Sequence, residues 1–246
     1  MRVAVVSDIH DNLAAFEAVL ADLREASPDL VFHGGDLAGS GSSPGEIVDR
    51  IRELGWQGVA GNTDEMLFRP EALTEFASES PAFNDLFAYV EQMAEWTRRA
   101  LGEERLAWLR NLPRIQHYES ITLVHASPGN LWRAPGAQAS DAELLAVYGP
   151  LDKRVVIYGH IHTPYVRKVA RLDGSIFTIA NSGSVGLPYD GDTRACYLLI
   201  DGEAVTIRRV EYDVEQEVKS LMTSGLPHAD WIAKQLRTAR PQLPCL

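Results

Sequence analysis

Side chains that could bind metal ions recur where apolar segments of this sequence end. In chain order, the candidates are Asp8, His10, Asp36, Asn62, His125, His160 and His162. They include four of the seven histidines and offer only nitrogen and oxygen atoms, which suit divalent transition metals. The ordered set therefore indicates a metal-binding site at the ends of the strands, although each motif alone also fits an ordinary turn, a cap or a buried histidine.

Alternating strands and helices are predicted to position the first of these residues. The predicted strands are 2–7, 30–33 and 59–60, and the predicted helices are 13–26 and 44–54. Ser43 is the expected N-cap of the second helix, with Pro44 in its first turn. This order is typical of a sheet with parallel crossovers, in which the carboxyl ends of the strands share one edge.

The rest of the chain divides into a helical segment, a β-rich part and a helical tail. The helical segment covers about 64–112 and is broken near Pro70, Pro81 and Gly102. The β-rich part has predicted strands at 121–124, 154–158, 165–172, 175–180, 196–200 and 204–210. Its last four strands form hairpins at Asp173-Gly174 and at Asp201-Gly202, with Glu203 beside the second turn. The tail covers about 213–240, and we expect one domain over 1–246, since no linker divides the chain.

Composition limits the partners and the compartment. The chain has 246 residues, 46% of them hydrophobic, and a formal net charge of −11. Such acidity argues against broad binding to nucleic acid or to anionic membranes. We find neither a run of the ~20 apolar residues that span a membrane nor a signal-peptide core. Two cysteines, Cys196 and Cys245, form no disulfide framework, which favours a cytoplasmic protein. Tryptophan and phenylalanine in the helical segment could form a dimer face, so a homo-oligomer stays open.

Taken together, the motifs resemble a known family. Asp8-x-His10, Gly35-Asp36, Gly61-Asn62, His125 and Gly159-His160-x-His162 occur in the order seen in the calcineurin-like metallophosphoesterases. The opening residues 8–13 and the loop at 181–186 extend the resemblance, which covers about 1–212 and points to the small bacterial phosphodiesterase-type branch. It implies a four-layer α/β/β/α sandwich of two mixed β-sheets flanked by helices.

The resemblance also implies how the ligands divide. One divalent ion would be held by Asp8, His10, Asp36 and His162. The other would be held by Asp36, Asn62, His125 and His160, so that Asp36 bridges the two ions. Manganese is favoured, with iron, zinc, cobalt or nickel as alternatives, because the ligands include no thiolate. The ions would outweigh the acidic charge locally, so the loaded protein should attract a phosphate that the metal-free protein repels.

The expected reaction is attack of a metal-bridging hydroxide on phosphorus, with Asn12 and Asn62 orienting phosphate oxygens. The family often has histidine, thought to protonate the leaving group, where this chain has Thr63. A threonine hydroxyl is too weak an acid for that role, which favours small phosphodiesters, cyclic or nucleotide-type ones among them, over phosphomonoesters. Water, His33 or another side chain could supply the proton instead, and phosphatase activity therefore stays open. Asp64 is expected to support the loop.

Other candidate residues and functions are less specific. Arg133, Arg167 and Arg194 could contact an anion, and Trp132 could stack on a base or aryl group. Each of these, like His33, also fits a packing or surface role. A non-catalytic protein-binding scaffold, as in a retromer subunit, is the alternative from another class, but here every ligand position is filled. A nuclease is disfavoured because the chain lacks a long basic stripe.

Overall fold

The computed structural model describes residues 1–79, 81–171, 173–202 and 204–244. Its strands are β1 (Arg2–Val6), β2 (Leu30–His33), β3 (Gln57–Gly58), β4 (Ile115–Tyr118), β5 (Ile121–Val124), β6 (Val155–Tyr158), β7 (Tyr165–Ala170), β8 (Ile176–Asn181), β9 (Ala195–Asp201) and β10 (Ala204–Val210). Its helices are α1 (Leu13–Ala26), α2 (Pro44–Leu54), α3 (Asn62–Phe68), α4 (Glu71–Ser78), α5 (Asn84–Arg110), α6 (Asp141–Tyr148), α7 (Val214–Ser224) and α8 (Ala229–Thr238). Among these described helices, none has the length and apolarity needed to cross a membrane.

The strands form two five-stranded mixed sheets. One sheet has the order β10-β9-β1-β2-β3, and the other has the order β4-β5-β6-β8-β7. In the first sheet β1 pairs in parallel with β2 and antiparallel with β9. In the second, β6 pairs in parallel with both β5 and β8. The carboxyl ends of these parallel neighbours are adjacent within each sheet, which is where ligand-binding loops collect in folds of this kind.

Successive side chains of β1 point to opposite faces of the first sheet, which shows how the layers pack. Val3 and Val5 belong to the apolar cluster that joins the two sheets. Ala4 and Val6 point the other way and belong to the cluster that α1, α2 and α5 form against the first sheet. The period of two follows from the pleat of a strand. Because α6 covers the outer face of the second sheet in the same way, the predicted four-layer α/β/β/α sandwich is confirmed.

Several local predictions need correction. The third strand is Gln57–Gly58 and not 59–60, because the chain turns away there and Ala60 N donates to Pro113 O at 2.9 Å. Ser43 stands at the N-cap of α2, but its side chain makes no capping hydrogen bond and contacts the Ser42 hydroxyl instead. β4 and α6 were absent from the prediction.

The helical segment and the hairpins agree with the prediction more closely. The helical segment begins at Asn62, and α5 continues through Gly102, where φ is 70° and the helix is locally broken. In the second hairpin Asp201 pairs with Ala204, so Asp201 belongs to β9 and not to the turn. Three residues of the predictions, Leu172, Glu203 and Cys245, lie outside the described residues.

Candidate metal centre

Tight turns at the strand ends bring the candidate ligands together. Six residues of these turns have left-handed backbone conformations, and they are Asp8, His10, Asp11, Asp36, His160 and His162, with φ between 48° and 65°. Such conformations cost about 1–3 kcal/mol each and persist only where the surroundings hold them. Here the turns hold one another, because Asp8 N donates to Gly35 O at 3.0 Å and Ile9 N donates to Asp36 O at 2.9 Å. The strain is concentrated at the predicted ligands.

The first group of ligands consists of Asp8, His10, Asp36 and His162. All four side chains are buried, and one ligand atom from each lies within 4.8 Å of the others. His162 Nε2 is 3.1 Å from Asp8 Oδ1, and His10 Nε2 is 3.6 Å from Asp36 Oδ2. The structure therefore brings together the four residues that the resemblance assigned to one ion.

The second group converges on the Asn62 amide oxygen. Asn62 Oδ1 is 3.0 Å from His125 Nε2 and 2.8 Å from His160 Nδ1. The other carboxylate oxygen of Asp36, Oδ1, lies 3.4 Å from His125 Nε2. Asp36 thus presents one oxygen to each group.

Backbone carbonyls determine which ring nitrogen faces the centre. Nδ1 of His10 lies 2.8 Å from Gly39 O, and Nδ1 of His125 lies 2.8 Å from Gly34 O. Nδ1 of His162 lies 2.5 Å from Leu187 O. A carbonyl can only accept, so in each neutral ring the proton is on Nδ1 and the lone pair is on Nε2.

These lone pairs meet other acceptors. His10 Nε2 faces His162 Nε2 at 3.2 Å, and His125 Nε2 faces the oxygens of Asn62 and Asp36. Acceptors at such distances repel one another unless a cation is shared between them. The donor set therefore fits divalent cations in both groups.

Burial and neighbouring charges together act on the protonation of the ligands. Burial, together with the nearby His125, lowers the pKa of His160 to about 4, and burial with the nearby His162 lowers the pKa of His10 below its ordinary value. Burial alone would raise the pKa of Asp8, but the charge and hydrogen bond of His162 hold it below its ordinary value. Neutral imidazole and ionised carboxylate are the forms that bind metals.

Asp64 links two of the ligand loops. Its carboxylate accepts from the backbone N–H groups of Gly61 and Asp36 at 2.9 Å, and from that of Leu37 at 3.0 Å. Asp11, which was not among the predicted site residues, accepts from Gly39 N at 2.7 Å in the same way. Both carboxylates are buried, and burial together with the charge of Asp36 raises the pKa of Asp64 to about 7. The two residues act on loop geometry.

The loop at 181–187 supports the first group from the opposite side. Ser184 Oγ donates to Asp8 O at 2.7 Å, and Gly186 N donates to the same oxygen at 3.0 Å. A Cβ at Gly186 would lie 1.8 Å from Ile9 O, so the close approach requires glycine. Leu187 contributes the carbonyl that orients His162.

The side chains of two predicted site residues, Asn12 and Thr63, make hydrogen bonds within the fold. Asn12 caps α1 by accepting from Ala15 N at 2.9 Å, and its amide donates to Gly186 O at 2.9 Å. Thr63 Oγ1 donates to Ala38 O at 2.8 Å, and Thr63 N donates to Asp36 Oδ1 at 2.9 Å. Asn12 therefore joins two loops, whereas Thr63 lies at the edge of the cavity above the centre.

The other predicted substrate contacts lie elsewhere. His33 is fully buried, its ring centroid is 6.1 Å from that of Trp108, and neither ring nitrogen has a partner within the described part of the chain. Arg133 pairs with Glu79, and Arg194 pairs with Asp192 at 2.7 Å. Arg167 donates to Ala137 O at 2.9 Å. These contacts favour a packing role for His33 and surface roles for the three arginines, which were the alternatives left open by the sequence.

A cavity of about 270 Å³ lies above the two groups. Its floor includes His10, Asp36, Asn62, His160 and His162. Apolar and aromatic side chains form its walls, and they are Met66, Phe76, Val90, Met93, Trp132, Leu187, Tyr189, Trp231 and Ile232. These side chains come from the helical segment, from the loops after His125 and Asn181, and from α8. The contribution of α8 was missed, because periodicity shows that a helix has an apolar face but not what that face covers.

Fold and site together define a class: an α/β sandwich with a buried centre of His, Asp and Asn ligands in two groups that share one carboxylate. Residues 1–204 match the calcineurin-like phosphoesterase superfamily domain, and the chain belongs to that superfamily. The protein is thus a metallophosphoesterase-superfamily hydrolase, in a superfamily that uses divalent metals. The resemblance inferred from the motifs is confirmed.

Three relatives illustrate the match. The chain is 30% identical to an uncharacterised protein of Methanocaldococcus jannaschii, over 97% of this chain and 98% of that one. It is 28% identical to a metallophosphoesterase from Sphaerobacter thermophilus whose crystal structure superposes with a TM-score of 0.78, over 97% of this chain and 100% of that one. It is 25% identical to a probable cyclic nucleotide phosphodiesterase of Synechococcus, over 68% of this chain and 75% of the relative.

Proposed function

We propose that this protein is a dinuclear metal-dependent phosphodiesterase that acts on small phosphodiesters. The observation that carries the proposal is the double role of Asp36, which presents one oxygen to each of two groups of facing lone pairs. The name of the Synechococcus relative supports a diester substrate. The cavity of about 270 Å³ lies just below the range for small-molecule sites, about 300–1,000 Å³, which supports a small substrate.

Asp8, His10, Asp36 and His162 would hold one ion, and Asp36, Asn62, His125 and His160 would hold the other. When bound, two divalent ions provide an activated water and stabilise negative charge on a phosphoryl oxygen. We favour manganese, because the donors are imidazole, carboxylate and amide groups without a thiolate. The chain's own contribution is orientation, since three carbonyls hold the ligand rings and Asp64 joins the Asp36 and Asn62 loops.

Two features favour diesters over monoesters. Thr63 uses its hydroxyl proton in the bond to Ala38 O, so it offers no acid to a leaving group, and good leaving groups are favoured. The cavity lining, within the described residues, includes neither lysine nor arginine. A monoester dianion would need more positive charge than a diester monoanion, and no lysine or arginine of the described residues lies in the cavity walls.

Rates on bis(4-nitrophenyl) phosphate and 4-nitrophenyl phosphate, measured with Mn²⁺, Mg²⁺, Zn²⁺ and Ni²⁺, test the proposal. We expect wild type to prefer the diester by at least about tenfold in kcat/KM, and Thr63→His to raise monoester activity selectively. Thr74→His, on an exposed part of α4, is the matched control. A monoester preference in wild type would contradict the diester assignment. Fewer than one bound metal per chain would favour the protein-binding scaffold.

A further inference from the structure

Helix α8 lies outside the residues that match the family, yet it forms part of the cavity wall. The family match ends at residue 204, whereas Trp231, Ile232 and Gln235 line the cavity. The helix is held in place by an apolar cluster in which Ile232 and Leu236 pack with Met93 of α5. This wall is therefore a fixed addition to the family's core domain.

The aromatic walls are oriented by hydrogen bonds of their indole groups. Trp231 Nε1 donates to Gln242 O at 2.9 Å, and Trp132 Nε1 donates to Glu65 Oε2 at 2.8 Å. Phe76 packs on Trp132 with ring centroids 5.0 Å apart. Since both indole N–H groups are satisfied by protein acceptors, the rings have only aromatic surface to offer a ligand.

Gln235 adds one polar group to this wall. The side chain is 2% exposed, and its Oε1 accepts from Tyr189 Oη at 3.1 Å. Its Nε2 has no hydrogen-bond partner among residues 1–79, 81–171, 173–202 and 204–244, and this atom is not fully buried, so a free donor is open to the cavity that Gln235 lines. An acceptor on a ligand in the cavity would accept from it. Tyr189 also stacks on His162, with ring centroids 4.4 Å apart, which places this wall beside the first ligand group.

We infer that α8 determines which phosphodiesters the site prefers. One ester substituent of the preferred substrate is an uncharged aromatic ring with a hydrogen-bond acceptor. The inference rests on the proposed phosphodiesterase function. Trp231 and Trp132 contact the ring, Gln235 donates to its acceptor, and the phosphate lies toward the ligand groups. Stacking on tryptophan tolerates different aromatic rings. The hydrogen bond from Gln235 to an acceptor on the ring would therefore decide which rings bind most tightly.

Binding of three diesters to the manganese-loaded protein at pH 8, followed by tryptophan fluorescence and calorimetry, tests this inference. The ligands are dimethyl, methyl phenyl and methyl 3-pyridyl phosphate. We expect the phenyl ester to bind at least about tenfold more tightly than the dimethyl ester, and the pyridyl ester about threefold more tightly again. Trp231→Ala should reduce the phenyl advantage below about threefold without changing the dimethyl Kd, and Trp231→Phe should retain most of it.

Gln235→Glu keeps an oxygen for Tyr189; its added negative charge should weaken binding of all three anionic esters to a similar degree, and the advantage of the pyridyl over the phenyl ester should be lost. Met222→Ala, on an exposed position of α7, is the control for changes in this helical hairpin. Equal Kd values for the three esters in wild type would overturn this inference and leave the phosphodiesterase proposal standing. No binding of any of the three would overturn both. The comparison of the three Kd values in wild type tests the inference even if Trp231→Ala does not fold.

Discussion

Asp36→Asn tests the shared carboxylate most directly. Asparagine keeps the shape of the side chain and the oxygen that accepts from Thr63 N, but it removes the charge that both groups face. In metal-free protein the charge of Asp36 is unfavourable for its neighbour, since it helps to raise the pKa of Asp64. In EDTA at pH 8 we therefore expect the Tm of Asp36→Asn to equal or exceed that of wild type.

The metal-loaded protein should show the opposite response. At a hundredfold excess over Kd, each bound ion adds about 2.7 kcal/mol to the free energy of unfolding. A chain of 246 residues has an unfolding entropy of about 0.5 kcal/mol/K, so each ion should raise Tm by about 5 °C and two ions by about 10 °C. Because Asp36 contributes to both groups, the metal-induced shift of Asp36→Asn should fall below about 5 °C.

Calorimetric melting with EDTA or Mn²⁺, combined with elemental analysis of bound metal, measures both effects. Asp49→Asn is the matched control, because Asp49 pairs with Arg105 at the surface at 2.5 Å and lies in neither ligand group. It should change Tm equally with and without metal. Equal metal-induced shifts in wild type and Asp36→Asn, or two ions retained by the variant, would refute the bridging role of Asp36.

Three further substitutions test the surroundings of the centre. Burial lowers the pKa of His33 to about 3 from 6.5, so the folded protein binds fewer protons than the unfolded chain, and stability falls as pH drops from 6.5 towards 3. Urea unfolding of His33→Leu at pH 7, 6 and 5 should lack up to about 1.4 kcal/mol per pH unit of this dependence, whereas parallel profiles would contradict it. A Cβ at Gly61 would lie 2.0 Å from Asp36 Oδ1, so Gly61→Ala should weaken metal binding roughly tenfold or more, while Gly129→Ala, with open space around it, should bind metal normally. Asn12→Ala should lower the free energy of unfolding by about 1–2 kcal/mol through loss of the α1 cap, and an unchanged denaturation midpoint would argue against that role.

The strand ends were predictable because apolar runs and turn residues are local signals. β1, β2, β5 and β6 occur within a residue of their predicted bounds, and Asp8, Asp36, His125 and His160 follow them. Parallel pairing then requires Asp8 and Asp36 to share an edge of one sheet and His125 and His160 an edge of the other, so ligand-bearing edges could be anticipated, whereas the division of the ligands between two ions came from the family resemblance. By contrast, the two-residue strand β3 was displaced, since its end depends on a contact with Pro113 far along the chain.

The roles of Asn12 and His33 could not be assigned from the sequence. The position of Asn12 beside the first motif suggested a contact with phosphate, but its amide donates to Gly186 O, which is distant in sequence. His33 precedes the Asp36 turn, but Trp108 of α5 covers it. Both outcomes depend on long-range contacts, which local patterns do not encode.

From the sequence alone came the donor types, their order and the strand ends that bear them, because each follows from local chemistry and the period of two. The tertiary structure alone decided which ring nitrogens face the centre, since Gly34 and Gly39 of the β2–α2 loop and Leu187 of the loop after β8 supply carbonyls to histidines that are distant in sequence. It also decided the cavity walls, because α8 reaches the site only by packing on α5. Local sequence thus determines which metal-binding side chains follow the strands, whereas ring orientation and cavity shape depend on segments that meet only in the folded chain.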